Sequence, residues 1–593
     1  MSGTWTSNHW FFAPPAGPNY DSNYKTGLDQ VDARLSRIIY AGDPNYATIA
    51  AGIATLNSAG TACTFVVPPG FAETISADLT VNSNILFKAE KGCTITIATG
   101  KTLTVNGPFQ VGLYQVFSCV GTGKVVFGSG AVDVAYPEWW GVTGTADNVA
   151  VNAALTSTKH VKLTKSIYTT AATININSYN ILEGNSRDGT TQIQPNAETF
   201  AAITVKGAVY SWEIRHLSIN YGIATSNTAA SNSAAKGISI INDGSDYPYF
   251  FNIHDVNIYY PYNGVYEQDL SFMGTFTNVY VSVCGHYGFY FPLSTGTTTL
   301  TFTNCYVNGG VGGFYMENID QLEMIACASD NISKGSNCNY FQSCIGNILG
   351  FQVESNTIGD NKSIILIAGG QLHISGYKGV NNVYDEAGGT ESYGIRAGSS
   401  ASVWLFAPKN VNETHSGAGT CYAAVGASDN TQFLVIANSL AAPTGGSTNG
   451  VYTANGKIGL WNGIYPPGEY LTWTPSLGGT TTYTTRIGYY FRTGNQVTVV
   501  GMITVNALGT GSATVVSGLP YTTADLGMAQ SGTVSYFVGI NTTVTFLGIY
   551  AENNATTMKF TDTQAVATAT INNGTSVFKD GATVAFTVTY LCQ

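Results

Sequence analysis

Ile253-His-Asp-Val-Asn-Ile258, Phe276-Thr-Asn-Val-Tyr-Val281, Phe302-Thr-Asn-Cys-Tyr-Val307 and Met324-Ile-Ala-Cys-Ala-Ser329 align with Val256, Val279, Cys305 and Cys327 in one column, at steps of 22 to 26 residues. A second column follows within each step: Gly264-Val-Tyr266, Gly288-Phe-Tyr290, Gly313-Phe-Tyr315 and Asn339-Tyr-Phe341. Two short segments rich in β-branched and aromatic residues, recurring in phase, mean one unit stacked on copies of itself. No helical period runs through the repeat, so the expected fold is all-β: a right-handed parallel β-helix with one coil per step. Residues in one column then lie about 4.8 Å apart, as neighbouring strands do. Sequence offsets thereby become distances.

The rest of the composition agrees. Of 593 residues only 10% are charged and 68 are glycine, which suits short strands and tight turns better than long helices. The net charge of −11, with no cluster of Lys and Arg, argues against nucleic acid as a partner, because phosphates need a basic surface. Thirty-six tyrosines suit carbohydrate, whose apolar ring faces stack on aromatics, although aromatics also pack within sheets. The ten cysteines form no CxxC pair and no zinc spacing, and Cys305 and Cys327 share the buried column, so reduced thiols are expected. The opening residues lack a basic and apolar leader pattern, and no apolar run approaches a membrane span.

Along the chain, residues 1–135 read as an attachment region with a β-rich lead-in, whose weak self-similarity from about 46 fits an early solenoid or an attachment module, 136–460 as the β-helix, and 465–593 as a β-sandwich. Helical spacing occurs at Leu28, Val31, Leu35 and Ile38, and again in Asn148-Val-Ala-Val-Asn-Ala-Ala-Leu155, which is placed to cap the open end of the solenoid. Two strand runs about Gly494-Asn495 mark a hairpin in the last region.

Tyr136-Pro-Glu-Trp-Trp-Gly141, the Asn-Ala-Ala-Leu helix, Ile181-Leu-Glu-Gly-Asn185 and the coils that follow resemble tailed-bacteriophage tailspikes of the pectate-lyase-like group, over roughly 90–400. The resemblance implies a homotrimeric virion protein, assembled in the host cytoplasm. It implies docking to a phage tail or baseplate protein through the N-terminal region, and action at the bacterial surface on capsule or O-antigen. The C-terminal sandwich would aid trimerisation or carbohydrate binding.

Glycosidic cleavage needs two carboxyl groups, one protonated and one ionised. Asp330 and Glu354 fall one coil apart, about 5 Å by strand spacing; Glu267 and Glu317 fall two coils apart, about 10 Å. Strand alternation leaves a question, since an offset of one residue would point Asp330 and Glu354 to opposite faces. The same acids can instead form turns or cap coil corners. Tyr266, Tyr290, Tyr315, His286 and Asp269 are the expected sugar contacts. His254 beside Asp255 reads as a stacked polar rung or the base of a lyase, with His286 and His373 equally open; Lys334, Lys378 and Arg396 are the central cations. No acidic cluster has calcium-loop spacing, so neither metal nor cofactor is expected. The expected function is endo-hydrolysis of a bacterial surface polysaccharide, with a non-cleaving receptor-binding spike or a β-eliminating lyase as alternatives.

Overall fold

The computed structural model describes residues 37–292, 296–333, 335–386, 391–398, 401–421, 471–492, 495–541, 546–561 and 576–593, together with the backbone of further short stretches such as 4–5, 12–13, 422–426, 432–436, 447–453 and 457–460. The chain divides into two compact units, 1–458 and 459–593.

The first unit is a parallel β-helix, and its coils begin earlier than the columns alone indicate. Cys63–Val67 pairs in parallel with Ile85–Ala89, Ala72–Ile75 with Thr94–Ile97, and Leu79–Val81 with Thr102–Val105. Each coil thus gives one strand to each of three sheets. Alternate residues point inward, and the inward phenylalanines stack: Phe65 on Phe87 at 6.0 Å and Phe87 on Phe109 at 5.9 Å. The Tyr136-Pro-Glu-Trp-Trp motif continues that stack. Pro137–Trp140 forms one 3₁₀ turn that sets Trp139 edge-on to Phe109 at 5.3 Å and Trp140 against Phe117 at 5.4 Å.

Helix Asn148–Ser157 follows and buries Ala150, Val151, Ala154 and Leu155. It does not close an end of the solenoid. Coils precede it, Ala135 bridges Val161 in parallel beyond it, and one apolar core among the described residues runs from Ala41 to Cys421. The helix beside the first coil is instead Ile49–Ala59, which burial of Ile49, Ile53 and Leu56 holds in place. Gly52 lets it approach, since a Cβ there would meet the Phe65 ring at 2.7 Å. Of the helix expected around 28–38, Ile38–Tyr40 is a strand paired with Thr64–Val66, Arg37 is at a turn, and residues 28–36 lie outside the described residues.

In the main coils the first column is in register, with Val256 opposite Val279 and its four members buried. In the second, Tyr266, Tyr290, Tyr315 and Tyr340 pair in succession. Tyr340, not Phe341, stands opposite Tyr315, so the last copy slips by one residue. The reason is Asn339, which turns inward: its Oδ1 accepts from Phe314 N at 3.1 Å and its Nδ2 donates to the Ser329 hydroxyl at 2.8 Å. Further polar groups enter the interior of the later coils. Asn382 Nδ2 donates to Glu413 at 2.8 Å and the Tyr384 hydroxyl donates to the same carboxyl at 3.1 Å, while His415 meets Glu386 at 2.6 Å.

In the second unit the strands assigned to a sandwich form one eight-stranded antiparallel sheet. The hairpin places Thr493 opposite Gln496. Ser476, just after the first edge strand, bridges Ser517 in the last, so the sheet curls round until its ends meet. Val497, Val499, Ile503, Val584, Phe586 and Val588 fill its core.

Candidate functional site

Strands Ala328–Ile332 and Gln352–Glu354 lie on consecutive coils, paired Ala328 to Gln352, Ser329 to Val353 and Asp330 to Glu354. Ser329 and Val353 are fully buried, so by strand alternation Asp330 and Glu354 both face outward, one rung apart. No offset separates them. The Tyr306 hydroxyl, from the coil before, donates to Asp330 Oδ2 at 2.8 Å, and Gln352 Nε2 donates to Glu354 at 3.0 Å. Asp330 is 9% exposed. Burial, joined by the Glu354 carboxylate, pushes its carboxyl above the usual range, against the pull of the Tyr306 hydrogen bond.

Tyr306 also lines a cavity of about 290 Å³ with Arg187, Asn257, Asn278, Tyr280 and Asn304. Arg187 comes from the loop between strands Ile181–Glu183 and Gln192–Pro195. Its Nη1 donates to the Asn278 carbonyl at 2.8 Å, and its own carbonyl accepts from Asn257 Nδ2 at 2.7 Å. The amides stack as well: Asn278 Nδ2 donates to Asp255 at 3.0 Å and Asn304 Nδ2 to Asn278 at 2.7 Å. All three sit at the left-handed bend of their coils, with φ of 52–54°, a conformation that Asn and Asp tolerate.

Asn257, Tyr280, Tyr306, Ala328, Gln352 and Lys378 follow one another in register along this flank. The Tyr280 and Tyr306 rings are 5.3 Å apart. The cavity spans the coils of Asn257, Tyr280 and Tyr306, so from the coil where Arg187 bonds Asn278 to that of Asp330 is two rungs, about 10 Å at strand spacing. Two cations (Arg187 and Lys378), two aromatic faces, a row of amides and two carboxyls lie along this flank. Such a strip can stack on sugar rings, bond their hydroxyls and meet an anionic substituent.

The second expected pair comes apart. Glu267 stands in register with Phe291 and Met316, so it points into the coil and has no exposure. The Thr297 hydroxyl donates to it at 3.1 Å, and burial holds its carboxyl well above the usual range. Glu317 is one residue further on, faces outward, and accepts from the Tyr315 hydroxyl at 2.6 Å. The one-residue offset thus falls on this pair, putting its members on opposite faces, and Glu267 cannot touch a polymer.

Tyr266, Tyr290, Tyr315 and Tyr340 form a half-buried ladder on a different flank, with successive ring centroids 6.0, 4.9 and 4.7 Å apart. The Lys236 ammonium sits over Tyr266 at 3.5 Å. His286 stacks on Tyr262 at 5.3 Å and meets Tyr290 at 4.5 Å, and burial pushes its imidazole down. Asp269 lies at a turn after this flank, where Asn242 Nδ2 donates to it at 2.5 Å. The tyrosines and His286 thus share a flank with Glu317, and not with Asp330 and Glu354.

His254 bridges Glu213 and Asp255 at 2.8 and 2.9 Å. Next to it, Arg215, His160 and Lys162 all bond Glu183; burial opposes them, yet they hold that carboxyl down to about 2. His373 meets Trp404 edge-on at 4.6 Å. Of the three cations, Lys378 is exposed and follows Gln352 in register, Arg396 lies over Tyr393 at 4.5 Å, and Lys334 is outside the described residues.

Sequence reasoning missed Arg187, Asn257, Tyr280 and Tyr306. The tyrosines carried a signal, since each directly follows a buried member of the first column and must face out. Arg187 carried none, because its loop meets Asn278 only through the fold.

No known protein family matches the sequence, and no curated protein matches it. Among solved structures, the chain is similar to the Dettilon tailspike protein gp208 at 12% identity, over 79% of this chain and 96% of that one, with a TM-score of 0.48. It is also similar to the gp42 tailspike of Acinetobacter phage vb_AbaP_AS12 at 11% identity, over 74% and 84%, with a TM-score of 0.40. The A-module of the Azotobacter vinelandii mannuronan C-5 epimerase AlgE4 follows at 13% identity, over 56% and 98%, with a TM-score of 0.33. At such identities no functional residue carries across.

Proposed function

We propose that this chain is a bacteriophage tailspike that binds a bacterial surface polysaccharide and cuts it by endo-glycosidic hydrolysis at Asp330 and Glu354. The observation that carries the reading is the in-register, outward-facing pair with Asp330 held toward its protonated form. Asp330 is then the acid that protonates the leaving oxygen, and Glu354 the nucleophile or base. A one-rung separation of about 4.8 Å is nearer to the spacing of retaining than of inverting glycosidases. The virion setting, the homotrimer, attachment through residues 1–135 and a trimerising or sugar-binding role for 465–593 belong to the same proposal; the Tyr136-Pro-Glu-Trp-Trp resemblance supports them.

The test is to spot the purified protein on lawns of encapsulated and O-antigen-bearing strains, then assay the glycan of any strain that shows a halo. New reducing ends without the ultraviolet absorbance of an unsaturated uronate establish a hydrolase. That absorbance would indicate a lyase, and binding with unchanged polymer length a receptor-binding spike.

Arg187 should matter for affinity. Losing a hydrogen bond to a charged group costs about 1.5–3 kcal/mol, so Arg187→Ala is expected to raise KM for an acidic polymer about 10- to 100-fold with kcat nearly unchanged. An unchanged KM would remove the cavity from the polymer's path.

A further inference from the structure

We propose that His216, His254 and Asp255 bind a divalent transition metal, zinc by preference, at the bend beside the Arg187 cavity. His216 and Asp255 occupy the left-handed bend of consecutive coils, at φ of 55° and 53°. Arg215 pairs with His254 and Leu217 with Val256, so the two bend residues stack one rung apart. His254 Nδ1 lies 2.9 Å from Asp255 Oδ2, and His216 Nδ1 lies 3.8 Å from the same oxygen. One ligand atom from each residue falls within 4.8 Å of the others. Bonds of about 2.0–2.1 Å in a tetrahedral zinc site set ligands about 3.3–3.4 Å apart, between the two distances found here. Small rotations of existing side chains therefore complete the geometry.

The surroundings are those of a metal site. His254 turns its other nitrogen, Nε2, to Glu213 at 2.8 Å, and Arg215 holds that carboxylate at 2.8 Å. Asp255 Oδ1 accepts from Asn278 at 3.0 Å, leaving Oδ2 for the ion. Carboxylate and amide partners behind the ligands fix ring orientation and tautomer, as metal sites require. A metal between Nδ1 and Oδ2 takes the place of the proton they share. Two imidazoles and one carboxylate suit zinc, cobalt or nickel, whereas calcium needs six or more oxygens. Side-chain exposures of 40% for His216, 29% for Asp255 and 20% for His254 leave room for entry and for water as a fourth ligand. The ion would tie two coils together at the bend, and Asn278 would link it to Arg187.

The test uses the untagged full chain, stripped with EDTA and titrated with Co²⁺. A visible band of tetrahedral cobalt saturating near one ion per chain is expected, bleached by zinc. His216→Ala should abolish the band with the circular dichroism unchanged, and His373→Ala should keep it. If His216→Ala fails to fold, Asp255→Asn is read in its place. Absence of the band from the native chain, or its persistence in the folded variant, overturns the site.

Discussion

Asp330→Asn is expected to lower the rate of polymer cleavage about 10²- to 10⁴-fold while polymer binding persists, the range of a positioned proton donor. The amide fills the same space and still accepts from the Tyr306 hydroxyl, so the loss isolates the proton. Glu354→Gln should fall in the same range, because each acid needs the other. Their effects should not add, since residues that act as a unit lose most of their worth with the first deletion. The raised Asp330 carboxyl also sets the sign of the pH profile. Wild-type cleavage should fall as pH rises through its shifted value, and residual activity of Asp330→Asn should lack that limb. Reducing-end assays on the purified polymer measure all three. Activity within about tenfold of wild type in both variants would mean that the pair does not cut.

Glu413→Gln is expected to stabilise the protein at pH 8 and to leave it almost unchanged at pH 5. Burial, only partly offset by the Asn382 and Tyr384 donors, pushes the Glu413 carboxyl from its ordinary 4.5 up to about 7. A folded chain that holds the proton more tightly than the unfolded one is favoured at low pH. That contribution is fully present below about pH 4.5 and is lost as the pH rises through about 7. The shift corresponds to about 3 kcal/mol between the two limits. Unfolding midpoints of both proteins across pH 5–8 provide the check. A gap of equal size throughout would assign the effect to packing and not to charge.

Much of this architecture is written in the chain because a stacked coil forces like residues into like places. Val256, Val279, Cys305 and Cys327 announce their column, and from it the outward positions of Tyr280 and Tyr306 follow by alternation. The Asp330–Glu354 register was open to the same reasoning: Val353 and Ser329 are the small buried residues that precede them. The failures have separate origins. Asn339 replaces an apolar side chain in the interior and bonds the backbone of its neighbour, so an alignment by residue type slips there. A slip of one is enough to turn a residue from solvent to core, and the Glu267–Glu317 pairing failed on such an offset. The early coils showed only as weak self-similarity, open to a solenoid or an attachment module, because strands of three to five residues carry little of a period. Arg187 is beyond any periodic argument, since the loop that carries it interrupts the repeat.

The stacked register has a consequence for any polymer that lies along it. The anchor at Arg187 and the acids at Asp330 and Glu354 are joined by whole coils, so their separation can change only in steps of about 4.8 Å. That step is close to the length of one sugar. Under the proposed reading the body of the protein is a ruler with fixed graduations, and the gap between its two marks would set where along the polymer the cut falls. Excising one complete coil between Asn257 and Asp330 would shorten the oligosaccharide product by a unit, whereas no substitution of a single side chain could.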